Sequence, residues 1–452
     1  MSDHPAFRPS RRSDIAPFIV MEVLAAANAR AATGADIVHL EVGEPADGAP
    51  AEAVAAAAAA LAAGSCGYTE ALGLPALRAR IARHYQERHG QTVDPARIAV
   101  TVGASGAFIL AFLAAFDTGA RVAVAEPGYP AYRNILQALG IEVVPVPTTL
   151  ATRFQPTPEQ LDALPGRLDG LVIASPSNPT GTMLGAAELA RLSAWCRARA
   201  VRLVSDEIYH GITYGGPAGT ALAVDPDALV VNSFSKYFCM TGWRLGWLVL
   251  PPDLAAAAAR LAQNLFISAP TVAQHAALGA FGASNELDAR VAGYARSRKL
   301  LLEALHTVGL TRVAPPDGAF YLYVDIGELG LDSVTLAQRL LDEAGLAVTP
   351  GVDFDPARGH DYLRLSFAGP QARMELAAER LRQKIADHEI VVGRKKVRVT
   401  ASFGVACFPG DGIETINDLL KAADKALYEA KYGGRNRVVA SLKKTKGKKA
   451  EI

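Results

Sequence analysis

Cysteine is scarce in this 452-residue chain. Four residues, Cys66, Cys196, Cys239 and Cys407, lie far apart with no C-x-x-C pair among them. That spacing argues against a zinc knuckle and against a disulfide framework. Nine histidines are scattered with no metal-ligand spacing, so no metal is assigned. Long apolar runs are missing too. The blandest stretch, 51–63, is almost all alanine and carries Glu52, which reads as a helix outside the membrane. Arg8, Arg11 and Arg12 have no apolar segment after them, so a cytoplasmic location is the expectation. Net charge is nearly absent, with 46 basic against 45 acidic residues. Nothing global therefore invites nucleic acid or an anionic membrane as partner.

What is present is apolar material, half of all residues, which suffices for a sizeable core and excludes wholesale disorder. The charge balance hides an asymmetry. Residues 388–452 hold 14 Lys/Arg against 7 Asp/Glu, and the preceding chain holds 32 against 38, so composition changes near His388. No Pro- or Ser-rich linker and no internal repeat marks the join. Before it, short apolar runs alternate with helical patterns. Segments 97–102, 121–125, 142–146, 170–174, 201–205, 229–232 and 245–250 read as strands. Segments 76–89, 106–116, 132–139, 186–199 and 253–263 read as helices. This alternation predicts an α/β fold with a mostly parallel sheet, whose ligands sit at the carboxyl ends of the strands.

Four segments fall at such ends. In Ser233-Phe-Ser235-Lys236, followed by Arg244, two hydroxyls and an arginine suit a phosphate monoester, and the lysine beside them suits a Schiff-base cofactor. Alone, that lysine reads as a surface residue in a loop. Asp206-Glu-Ile-Tyr209 offers a carboxylate for a pyridine nitrogen and a phenol for a ring hydroxyl, or a plain helix N-cap. Ser175-Pro-Ser-Asn178-Pro-Thr-Gly181 is a rigid turn that could hold Asn178 at a cofactor edge. Thr101-Val-Gly103-Ala104-Ser105-Gly106 could hold a phosphate on free N–H groups at a helix start.

Together with Gly43–Pro45, Tyr68–Gly73, Pro127–Tyr132 and Tyr362–Phe367, these motifs stand in one order. In that order residues ~15 to ~385 resemble the class I and II aminotransferases, of fold type I among the pyridoxal-phosphate enzymes. The resemblance implies a large, mostly parallel sheet domain and a smaller α/β domain. The divisions are 1–45, joining the small domain, 46–280, the large domain, and 281–386, the small domain. It implies that Lys236 forms the Schiff base and shuttles the proton, and that Asp206 faces the pyridine nitrogen. It implies Tyr209 and Asn178 at the ring hydroxyl and Tyr129 against the ring face. Ala104, Ser105, Ser233, Ser235 and Arg244 would hold the phosphate of pyridoxal 5′-phosphate. Tyr68 would reach the phosphate of a neighbouring subunit in a homodimer. Arg364, with Gly43 and Asn178, would hold the substrate carboxylate. Trp243 and Trp247 are expected around the arginine loop, and Glu207 has no role.

From about Glu389 the pattern changes. Residues 397–406 and 419–437 look like the C-terminal part of a diguanylate cyclase (GGDEF) domain, with a helical stripe at Leu420, Ala423, Leu427 and Ala430. Its G-G-[DE]-E-F signature and its acidic half are absent, so 387–452 reads as a truncated α+β fragment ending in a basic run, 443–449. The expected activity is amino transfer between an α-amino acid and a 2-oxo acid. A C–S lyase of the same fold, or an interaction protein working through the fragment, is the alternative.

Overall fold

The computed structural model describes residues 8–386, 390–392, 395–397, 402–406, 416–433 and 438–441. Seven strands form the main sheet, in the spatial order Ile98–Val102, Leu245–Val249, Leu229–Ser233, Arg202–Asp206, Gly170–Ala174, Arg121–Glu126 and Glu142–Pro147. All seven lie within a residue or two of the runs anticipated above. The reason is chemical. Runs such as LVVNS and LGWLV are buried along their whole length, as a sheet covered on both faces requires.

One strand runs against the rest. Leu245–Val249 is antiparallel to both Ile98–Val102 and Leu229–Ser233. Its beginning, not its end, therefore lies at the edge where the parallel strands finish. Helix Gly103–Ala115 leaves Val102 at that edge and buries Ala107, Phe108, Leu110, Ala111 and Phe112. It begins three residues earlier than its apolar pattern suggested, because Gly103, at φ +67°, already turns the chain into the helix.

A smaller antiparallel sheet has the order Thr349–Pro350, Tyr362–Ser366, Tyr321–Asp325. Beside it, Val38–His39 pairs in parallel with Leu346–Ala347. Helices Ser284–Thr307 and Gln371–Ala386 pack on one another there. Trp247 is fully buried, with its indole N–H donating to Tyr85 Oη at 3.1 Å and its ring 5.0 Å from that of Phe234.

In the tail, Phe403–Ala406 pairs in parallel with Val438–Ser441, beside helix Ile416–Tyr432. Of the predicted stripe on that helix, Ala430 is buried and Ala423 and Leu427 are half-buried, whereas Leu420 is 46% exposed; Ala426 is buried as well. The Gly-Arg-Asn stretch before Arg437 and the basic run 443–449 lie outside the described residues.

Candidate active site

The strand ends converge on one cavity of about 260 Å³. Lys236, Asp206, Tyr209, Asn178, Tyr129, Ala104, Ser105, Ser235, Arg244, Gly43 and Arg364 all line it. Two anticipated residues do not. Ser233 lies one shell deeper, its Oγ 2.8 Å from Ser235 Oγ, and donates to Leu245 O at 3.0 Å. Tyr68 stands apart from the cavity, 85% exposed.

Lys236 follows strand Leu229–Ser233 and turns its amine inward, where Nζ donates to Gly43 O at 2.5 Å. Burial lowers its pKa to about 8; Glu44 opposes this, and Arg364 and Arg244 add to it. Asp206 ends its strand almost fully buried. Its Oδ1 accepts from the Ile208 N–H at 3.0 Å, and Tyr132 donates its hydroxyl to Oδ2. Burial raises this carboxyl to about 6, against the hydrogen bond from Tyr132. The local cap and the inward-facing carboxylate thus coexist, one on each oxygen. The chain after Asp206 makes a turn rather than a helix, and this brings Tyr209 round to the cavity.

The phosphate end has the features of an anion cradle. Helix Gly103–Ala115 has no side-chain cap, so the N–H groups of its first turn are uncommitted. Arg244 precedes the antiparallel strand and so arrives at the same edge. A Cβ on Gly103 would lie 2.7 Å from Arg244 Nη2, and one on Gly246 would lie 2.9 Å from Ala104 N. Glycine at both positions is what lets guanidinium, strand and helix start crowd around one spot.

Opposite, Arg364 is 2% exposed and lies between the rings of Tyr321 and Phe354, 4.5 and 4.7 Å from their centroids. Nη1 donates to Asn178 Oδ1 at 2.9 Å, and Nη2 to Thr349 Oγ1 at 3.2 Å and to Glu41 O. Among the described residues its buried Nε–H has no partner, an unmet donor of the kind a carboxylate would satisfy.

Two residues of the site escaped the sequence reading. Tyr321 bonds Tyr209 hydroxyl to hydroxyl at 2.7 Å and crowds Gly43, where a Cβ would sit 1.7 Å from Tyr321 Oη. Tyr132 holds Asp206. Tyr321 lies in an aromatic strand that reads as core. Tyr132 is the closing residue of the Pro127–Tyr132 motif, which was the available signal.

The family model for aminotransferase class I and II matches residues 35–381, and that for the diguanylate cyclase GGDEF domain matches 365–437. The two overlap on residues 365–381, which take in the end of strand Tyr362–Ser366 and most of helix Gln371–Ala386. The valine–pyruvate aminotransferase of Mycobacterium tuberculosis is 50% identical over 83% of this chain and 97% of its own length. The arginine–pyruvate transaminase of Pseudomonas aeruginosa is 37% identical over 75% and 87%. Among solved structures, an aminotransferase from Mycobacterium tuberculosis superposes with a TM-score of 0.83 at 49% identity, covering 85% of this chain and all of that one. The aspartate aminotransferase of Thermus thermophilus with maleate gives 0.78 at 34%, covering 84% and all of that chain. The chain therefore belongs to the class I and II aminotransferases, enzymes that move an amino group between an amino acid and a 2-oxo acid.

Proposed function

We propose that the cavity holds pyridoxal phosphate, that the amino donor has a neutral, apolar side chain, and that pyruvate is an acceptor. The observation that carries the first part is convergence. An amine, a buried carboxylate, an uncapped helix start with an arginine, and an arginine with an unmet N–H all face one cavity. Pyridoxal phosphate brings an aldehyde for the amino group and a ring that accepts the electron pair left at Cα. In this reading the first-turn N–H groups of Ala104 and Ser105, with Ser235 and Arg244, hold the phosphate. Asp206 would offer its carboxylate to the ring nitrogen, and the hydroxyl of Tyr132 would help hold that carboxylate ionised. Tyr129 would cover one ring face, its own ring held edge-on by Tyr132 and Phe18 at 5.3 and 5.8 Å. Tyr209 and Asn178 donate to the ring hydroxyl.

Arg364 orients the donor by its carboxylate, which fixes where Cα lies. Lys236, as a free amine, would be the group that takes the proton from Cα and holds it at Nζ for return. A pKa near 8 suits that work, since the amine is then both available and basic near neutral pH. Release from Gly43 O frees Nζ for this swing.

The choice of side chain rests on the walls. Phe18, Val20, Met21, Phe108 and Ile208 line the cavity. Its three cations are Lys236, Arg244 and Arg364, and each is engaged in this scheme, so none is left for an acidic side chain. The valine–pyruvate specificity of the relative from Mycobacterium tuberculosis supports the same donor and acceptor. A homodimer, in which the exposed Tyr68 reaches the phosphate of the other subunit, completes the reading. So does a division into parts at 46–280 and 281–386, which the separate sheets support. A screen of amino donors with pyruvate tests it. Faster turnover of aspartate or glutamate than of valine, alanine or leucine would overturn the side-chain assignment.

A further inference from the structure

Next to Asp206 in the chain, and outside the cavity lining, lies a set of titratable groups with no part in the scheme above. Glu207 is 1% exposed. Its Oε1 accepts from Ala221 N at 2.8 Å, Thr220 Oγ1 at 3.1 Å and Ser205 Oγ at 3.3 Å. Its Oε2 is buried without a hydrogen-bond partner among the described residues, and His210 Nδ1 lies 3.4 Å away. His210, 7% exposed, turns its other nitrogen to Ser175 O at 3.1 Å. Ser175 begins the turn that carries Asn178, and Asn178 accepts from Arg364.

We propose that Glu207 is a protonated, neutral acid that donates to His210, and that the pair are positioning residues holding the Ser175–Asn178 turn against the cavity. The tautomer follows from the partners. A carbonyl only accepts, so His210 Nε2 carries its proton and Nδ1 offers a lone pair. A lone pair wants a donor. An ionised Glu207 would leave a bare oxyanion beside it in a buried site, a costly arrangement. A protonated Glu207 supplies the missing hydrogen and satisfies both atoms at once. His89 Nε2 also lies 3.4 Å from Nδ1. That contact is long and lies at the half-buried edge, where solvent can serve His89 instead, whereas Glu207 is 1% exposed. Burial acts in the same direction on both groups. It raises Glu207 to about 8 and, with His89 adding, lowers His210 to about 3. An ion pair is thus disfavoured from both sides.

The link to catalysis rests on the reading that Asn178 faces the cofactor, whereas the protonation state does not. The holoenzyme, selectively labelled with ¹⁵N-histidine, is examined by two-bond ¹H–¹⁵N correlation, with His210 assigned by its loss in His210→Gln. A neutral ring protonated on Nε2 between pH 6 and pH 8 is expected. An imidazolium, or a proton on Nδ1, would overturn the proposal. Glu207→Gln keeps one acceptor and one donor, so it should hold kcat/KM within about twofold and retain the tautomer. Glu207→Leu should lose roughly tenfold in kcat with KM little changed, and should shift the visible absorption of the bound cofactor as Asn178 moves. Equal losses in the Gln and Leu variants would show that the acid does not act as a donor. No loss in the Leu variant would show that it positions nothing.

Discussion

In the proposed reading Lys236 attacks an aldehyde, and it can do so only as the free amine, so its protonation would govern how the apoenzyme takes up pyridoxal phosphate. An unperturbed lysine near 10.5 is about 0.03% neutral at pH 7, whereas one at about 8 is about 10% neutral. The structure therefore predicts a roughly 300-fold faster covalent capture of pyridoxal phosphate at pH 7 than an ordinary lysine would give. Stopped-flow mixing of apoenzyme with pyridoxal phosphate, read at the visible band, should show a rate that rises with pH and levels off above about 8. Glu44 opposes the depression, so Glu44→Gln should move the inflection lower. The stability sign is fixed by the same shift. The folded pKa lies below the unfolded one, so the folded state disfavours the charged amine. Stability is complete above about 10.5 and lost as pH falls through about 8. Apo Lys236→Met should accordingly melt above the wild type at pH 7, with the gap closing as pH climbs from 8 towards 10.5. A capture rate that rises tenfold per pH unit up to pH 10 would refute the argument.

Three further outcomes are expected. Arg364→Ala should lower kcat/KM for amino and oxo acids alike by about 2–4 kcal/mol, roughly 30- to 1,000-fold, and unchanged values for both would assign the carboxylate elsewhere. Tyr68→Phe should weaken cofactor retention in a dimer; a cofactor-saturated, active monomer in sedimentation would contradict the cross-subunit role. The full chain should make no cyclic dinucleotide from GTP, and a chain ending at 386 should keep its aminotransferase activity; GTP turnover, or collapse of the shortened enzyme, would show that the tail does more than accompany the fold.

Strands were legible because a sheet covered on both faces needs unbroken Val, Leu and Ile runs, and such runs announce themselves in order. The glycine turn, Asn178, Asp206 and Lys236 were legible because each follows such a run within a few residues. Tyr321 was not. It reaches the cavity from the other sheet, 112 residues after Tyr209, and its own neighbours look like core. Glu207 and His210 stood inside a recognised motif, yet their roles depend on burial and on the direction of one imidazole proton, and neither is written in residue spacing.

The reversed strand Leu245–Val249 has a mechanical meaning. Residues 234–244 leave the sheet on one strand and re-enter it on the adjacent one, so both ends of this segment are clamped in the same rigid frame. Lys236 and Arg244 sit inside a closed staple rather than on a free-swinging arm. The backbone has little freedom to carry the amine through the reaction. Its travel, from Gly43 O to a proton on the substrate, comes down to rotation about four side-chain bonds. The backbones of Lys236 and Arg244, the proposed proton shuttle and phosphate anchor, are thereby held at a constant separation while the lysine side chain moves.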